Sequence, residues 1–102
     1  MSMTTETRGD ALIVTGLDRL SATNANWFKE LTCSKLAETH RFVEVDLARV
    51  AFIDSDGLGA LISVKKRLAA RDGQLRLLRP QPPVEQLLRM LHLEQVFDLI
   101  QG

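Results

Sequence analysis

The sequence predicts an α/β domain: a small, mixed and mostly parallel β-sheet with helices packed against it. Short apolar segments of strand character alternate with segments whose apolar residues recur at helical spacing. Strands that alternate with helices indicate parallel pairing through right-handed connections. The N-terminal part adds an antiparallel hairpin. A chain of 102 residues with 45% hydrophobic content fits a single domain, 1–102, that needs no disulfide or structural metal.

The first half of the chain contains the hairpin and the first helix. Arg8-Gly9-Asp10 indicates a turn. Residues 11–17 are rich in β-branched and aliphatic side chains, which favours a strand. Ser21 or Asn24 can cap the helix that follows. The apolar residues of that helix lie within an arc of roughly 140°: Ala25, Phe28, Leu31 and Leu36.

The second half repeats the alternation. Residues 43–47 alternate apolar and acidic side chains, which predicts a strand, and residues 50–53 either continue it or form a short strand of their own. Leu75 and Leu77 mark another strand. The helix between residues 50–53 and this strand ends near Gly73, a residue type that suits a helix C-terminus. Its apolar residues follow helical spacing: Leu58, Leu61, Ile62 and Leu68.

Three prolines separate the last strand pattern from a final helix. Pro83 suits the first turn of that helix. The apolar face of the helix follows the i, i+3, i+4, i+7 template: Val84, Leu87, Leu88 and Leu91. Residues 96–100 then form a last strand or a packed tail.

Composition and charge exclude several classes of function. Lys plus Arg and Asp plus Glu both number 13, so the formal net charge is zero. Zero charge argues against direct nucleic-acid binding or an anionic membrane surface. The apolar segments are too short for membrane insertion, and polar residues 1–7 are unlike a secretory signal. A single cysteine, Cys33, forms no internal disulfide, so the expected compartment is cytoplasmic.

Patterns for metal binding or conventional catalysis are missing from the sequence. His40 and His92 lie far apart, and together with one cysteine they offer no metal-ligand spacing. Neither a P-loop nor a G-x-S-x-G turn occurs. We therefore expect no metal and no cofactor. Conventional catalysis is not excluded by composition, but no motif indicates it.

The most informative segment is Asp54-Ser55-Asp56-Gly57, between an apolar segment and a helix. Asp54, Ser55 and Asp56 are all good N-cap types, so helix capping is the simplest interpretation. A serine at such a turn can also present its hydroxyl to a partner or carry a phosphate, which the helix N-terminus favours. The two neighbouring carboxylates oppose a phosphate. Gly57 allows a tight turn or a close neighbour.

Two enzymatic interpretations of the same segment are weaker. Gly57 to Ile62 follows a strand and opens a helix, as a dinucleotide fingerprint does. Ile62 stands where a small residue is needed, and Asp56 faces the place of a pyrophosphate. A nucleophilic serine needs a base, and neither His40 nor His92 is placed by sequence to serve.

The segment Val45 to Leu61 resembles the core of STAS domains, specifically bacterial anti-sigma-factor antagonists. Their signature is D-L-x-x-V-x-F-[IM]-D-S-[ST]-G-L-G, and it aligns with residues 46–59. Gly16-Leu17-Asp18 is similar to the turn after the first long strand of that family, and residues 80–97 resemble its last helix and tail. The resemblance covers most of the chain and implies a STAS-like fold.

The resemblance also implies a function and a site. In that family the serine after the motif aspartate is the regulatory phosphorylation site, and Ser55 occupies that position. The unphosphorylated protein would bind an anti-sigma factor, often a serine kinase of the histidine-kinase-like ATPase type, and free a sigma factor. Phosphorylation would block this binding, and a serine phosphatase would restore it. The implied partner-binding residues are Asp18, Asp54, Ser55, Asp56, Gly57 and Leu58.

Two of these residues carry alternative interpretations. Asp18 matches a family position near the phosphorylated loop, and a simple turn residue before the first helix is an equal alternative. Asp56 departs from the family pattern, which has Ser or Thr there. This departure motivates a second hypothesis, a constitutive STAS scaffold or subunit of a signalling or lipid-transport complex without phosphoregulation.

Overall fold

The computed structural model, which describes residues 3–101, contains one five-stranded sheet in the order β1-β2-β3-β4-β5. The first pair of strands is antiparallel and the other pairs are parallel, which confirms the predicted fold class. Within the described residues, no helix is long and apolar enough to cross a membrane. The strands are β1 (Thr4–Arg8), β2 (Ala11–Thr15), β3 (Phe42–Asp46), β4 (Gln74–Leu78) and β5 (Asp98–Ile100); the helices are α1 (Ala25–Lys35), α2 (Ser55–Ala69) and α3 (Pro82–Met90).

The sheet is covered on one face. The strands advance in one direction across it, so right-handed crossovers place α1, α2 and α3 on the same side. Side chains on this covered face are almost completely buried: Leu12, Val14, Val43, Val45, Leu75 and Leu77. Their neighbours along each strand point to the open face, where Arg76 lies over the Phe42 ring at 3.8 Å and contacts Glu44 at 2.9 Å. The two faces reproduce the period-two pattern of the sequence.

Two loops meet at the carboxyl ends of β2 and β3. The Leu20 N–H donates to the Phe52 carbonyl at 3.0 Å, and the Asp54 N–H donates to the Leu20 carbonyl at 3.2 Å. Leu20 and Ile53 thereby form an isolated parallel bridge. Residues 50–53 do not continue β3, because only Ile53 pairs with a neighbour. The bridge fixes the loop before α2 against the loop before α1.

Asp46 secures the beginning of the loop between β3 and α2. Its carboxylate accepts hydrogen bonds from the Ala48 N–H and from Arg79, each at 2.9 Å. Partial burial of the carboxylate opposes its ionisation, but the bonds from Ala48 and Arg79 outweigh burial and lower the pKa of Asp46. The loop therefore leaves β3 in a defined direction.

The ends of two helices differ from the sequence prediction. After α2, the left-handed residue is Asp72 (φ 58°), not Gly73. Gly73 donates its N–H to Leu68 at 2.8 Å, and a Cβ there would lie 2.7 Å from the Arg41 carbonyl. Glycine is needed here for close approach rather than for its backbone angle. Leu91 follows the last residue of α3 and is 49% exposed, so it is not part of the buried face.

His40 is buried at the amino edge of the sheet, away from the loops before α1 and α2. Its exposure is 2%, and its Nδ1 accepts a hydrogen bond from the Ala37 N–H at 2.8 Å. Because Nδ1 is an acceptor, Nε2 carries the proton and donates to Thr7 Oγ1 at 3.0 Å. His40 therefore joins β1 to the loop after α1.

The covered and open faces predict unequal costs of substitution for two adjacent leucines of β4. Leu77 is fully buried and Leu78 is half-buried on the open face. Leu77→Ala should lower the free energy of unfolding by about 2–4 kcal/mol, because it leaves a cavity. Leu78→Ala should cost less than about 1.5 kcal/mol. Urea unfolding followed by far-ultraviolet circular dichroism measures both, and equal losses would contradict the assignment of the two faces.

Candidate functional site

Ser55 is the first residue of α2 and lies exposed at the carboxyl edge of the sheet. The backbone at Asp54 is extended (φ −109°, ψ −173°), and its side chain accepts a hydrogen bond from the Gly57 N–H at 2.9 Å. Asp54 is thus the N-cap, one of the three capping candidates that the sequence left open. The cap fixes the start of the helix and with it the position of Ser55.

The Asp54 carboxylate also reaches a second element. While Oδ1 accepts from Gly57, Oδ2 accepts from the Ala22 N–H at 3.1 Å, in the loop before α1. We call this pair of contacts the Asp54 bridge. The Gly57 N–H and then the Ala22 N–H stabilise the charged form, so the pKa of Asp54 is lowered from its ordinary value of 3.8. An ionised carboxylate therefore joins the two loops.

Gly57 is required by packing. It is buried, and a Cβ on it would lie 2.1 Å from the Leu20 carbonyl oxygen and 2.7 Å from the carbonyl carbon. Both atoms belong to backbone that is already held by the bridge to Ile53, so they cannot move aside cheaply. Of the two uses that the sequence leaves open for Gly57, a tight turn or a close neighbour, the structure shows the close neighbour, which is the loop before α1.

The remaining predicted site residues surround Ser55 at different depths. Asp56 is exposed in the first turn of α2, and Leu58 is half-buried against the core. Asp18 is exposed and contacts its neighbour Arg19 at 3.5 Å. Its carbonyl accepts from the Ala51 N–H at 3.3 Å, which places Asp18 beside the loop that leads to Ser55. The structure therefore gathers these residues at one edge, where Gly57 is buried, Asp54 and Leu58 are half-buried, and Asp18, Ser55 and Asp56 are exposed.

Phe52 adds an exposed aromatic ring that the sequence analysis did not assign to the site. It is 56% exposed, two residues before Asp54. Its side chain contributes apolar surface next to the acidic residues, and exposed aromatic rings are frequent anchors in protein interfaces. The signal in the sequence is ambiguous, because phenylalanine in an apolar segment usually indicates core.

A groove between α1 and α2 begins at Ser55. Its volume is about 420 Å³, and we call it the α1–α2 groove. Small residues on the two helices and on the loop before α1 keep this space open: Ala22, Ala25, Gly59, Ala60 and Ser63. Its polar groups come from Asn26, Lys29, Ser55 and Asp56. The contribution of α1 to this groove is not predictable from the sequence, because the pairing of α1 with α2 depends on tertiary packing.

The site offers hydrogen bonding, charge and a modifiable hydroxyl. His40, which could serve as a base, is committed to Ala37 and Thr7 at the opposite edge of the sheet. The Gly57 N–H, which a nucleotide phosphate would need, is occupied by the Asp54 carboxylate. The arrangement favours binding or modification over the hydrolase and nucleotide-binding interpretations.

The model of the STAS domain family matches residues 2–101, and this chain belongs to that family. A Thermotoga maritima protein assigned as an anti-sigma factor antagonist has a similar structure, with a TM-score of 0.88 and 21% identity, covering 98% of this chain and 86% of that one. The anti-sigma factor antagonist SpoIIAA of Bacillus, in its unphosphorylated form, has a TM-score of 0.84 and 16% identity, covering 99% and 88%.

The same fold also occurs within larger proteins. Part of the murine anion transporter Slc26a9 has a TM-score of 0.78 and 17% identity, and the match covers 95% of this chain but 17% of the transporter. Comparison with curated protein sequences gives no match. At these identities the solved structures establish the likeness of the fold alone.

Two glycines in the first turns of α2 predict opposite effects of the same substitution. Gly57→Ala should lower the free energy of unfolding by about 2–3 kcal/mol, because the new Cβ collides with the Leu20 carbonyl. Gly59→Ala meets open space and should stabilise by about 0.5–1 kcal/mol through helix propensity. Urea unfolding of both variants tests the contact, and equal behaviour would contradict it.

The Asp54 bridge predicts a loss of stability in acid. The folded state holds the pKa of Asp54 below 3.8, so its contribution is complete above that value and declines as the pH falls through the lower folded pKa. The difference in melting temperature between wild type and Asp54→Asn should therefore shrink below about pH 4. Asp18→Asn is the control, because the Asp18 carboxylate contacts Arg19 and caps no helix. A difference that stays constant down to pH 2 would contradict the bridge.

Proposed function

We propose that this STAS domain is an anti-sigma-factor antagonist in a partner-switching pathway, regulated by phosphorylation of Ser55. One observation carries the proposal: Ser55 is an exposed hydroxyl at the start of α2, held in place by the Asp54 bridge beside the α1–α2 groove. Family membership and the fold shared with anti-sigma factor antagonists support it. In this proposal the domain is a binding module and not an enzyme.

The proposed partner is an anti-sigma factor that is also a serine kinase of the histidine-kinase-like ATPase type. Its docking surface includes Phe52 as an apolar contact and the acidic groups Asp18 and Asp56 around Ser55. A phosphate on Ser55 adds about −1.5 to −2 charges at pH 7. Burying that charge in an interface, next to existing carboxylates, is costly without a cation to pair with it. A serine phosphatase would restore the binding form.

Asp56 favours a second candidate, a constitutive STAS scaffold or subunit. Its carboxylate is exposed next to Ser55 and lines the same groove, so a fixed negative charge is already present at the site. Such a domain would bind its partner whether or not Ser55 is modified. The two candidates differ in how the partner responds to charge at position 55.

Substitutions at Ser55 distinguish these two functions. For a phosphorylation switch, Ser55→Ala should retain capture of the anti-sigma factor, while Ser55→Glu should weaken it by about tenfold or more through uncompensated interface charge. Ser63→Ala is the matched control, because this serine lines the same groove and donates to the Gly59 carbonyl. Intact mass after purification with phosphatases inhibited should show one phosphate on wild type and none on Ser55→Ala. Equal capture by all variants, with no phosphate, would support the scaffold.

A further inference from the structure

Lys29 is a cation at the site, and within the described residues 3–101 it has no charge partner of its own. It lies half-buried in α1 and lines the α1–α2 groove together with Ser55 and Asp56. Among residues 3–101, the ion pairs and side-chain hydrogen bonds do not include the Lys29 ammonium group. No acidic residue lies three or four positions from it along α1.

The position of Lys29 gives the groove a balanced charge before any modification. Its charged lining groups are Asp56 and Lys29, one of each sign. A phosphate on Ser55 changes the sum to about −1.5 to −2 at pH 7. Among the described residues that line this groove, Lys29 is the cation available to the phosphate, while Asp56 repels it.

The space between the helices suits this pairing. Small residues leave about 420 Å³ open beside Ser55, enough to admit a phosphoryl group. Lysine carries its ammonium on a flexible four-carbon stem, so it can follow the phosphate without a change in backbone. The Asp54 bridge keeps the first turn of α2 in place and fixes the origin of the phosphoryl group.

We propose that Lys29 pairs with the phosphoryl group on Ser55 and holds it in the entrance of the α1–α2 groove. This inference rests on the proposed phosphorylation of Ser55 and names how the modified state is held. Phosphorylation then acts in two ways, because it adds negative charge and also fills the groove that a partner would contact. Lys29 is a positioning residue in this mechanism.

The test uses the whole chain with phosphoserine installed at position 55 during translation. Phosphorus-31 NMR measures the second pKa of the phosphate across pH 5–8, a range around its ordinary value of about 6. Lys29→Met should raise the phosphate pKa by roughly 0.5, because the cation favours the dianion. Asp56→Asn should lower it. Added salt at about 0.5 M should reduce the difference between wild type and Lys29→Met.

Lys35→Met is the matched control, since Lys35 is exposed in the last turn of the same helix and does not line the groove. It should change the phosphate pKa by less than about 0.1. Lys29→Gln supplies a second variant if Lys29→Met does not fold. Equal phosphate pKa values in wild type and the Lys29 variants would overturn the proposal, as would an equal effect of Lys35→Met. Because phosphoserine is installed directly, this result is independent of any kinase or partner, and failure of the proposed function would appear only in partner capture and intact mass.

Discussion

The close approach of Gly57 to the Leu20 carbonyl is the constraint on which the site depends. It places the start of α2 directly against the loop before α1, and any side chain at position 57 would separate them. The Asp54 carboxylate then uses one oxygen for each element. A buried backbone contact and a charged cap thus act on the same turn. Together they give an exposed serine a fixed position without burying it.

This constraint also explains why the groove is open at Ser55. Two helices that approach closely at their N-terminal ends need small residues where they meet, and the buried Ala25 and Ala60 supply them. The space that remains is lined by Lys29 and Asp56. The packing requirement and the charges beside Ser55 are therefore properties of one helix pair.

Periodicity and turn chemistry were sufficient to predict the sheet, the hairpin and the three helices, because these depend on local patterns of apolar residues. Capping by the segment 54–56 was predicted from residue type, but the choice of Asp54 among the three candidates was not. The Asp54 contact with Ala22 and the position of Lys29 in the groove could not be predicted, since each joins residues from separate elements. Gly73 shows the limit of sequence-based prediction at a single helix end. A glycine suits a helix C-terminus, but the left-handed residue there is Asp72, and glycine is needed at 73 because the Arg41 carbonyl lies close to it.

The first turn of α2 divides its positions between two tasks. Asp54 and Gly57 make the contacts that hold the loops, while Ser55 and Asp56 between them are exposed. Point mutations at the two exposed positions leave those contacts intact. The residues at these two positions can therefore change, and with them the charge and the hydroxyl that this turn presents, while the domain continues to fold.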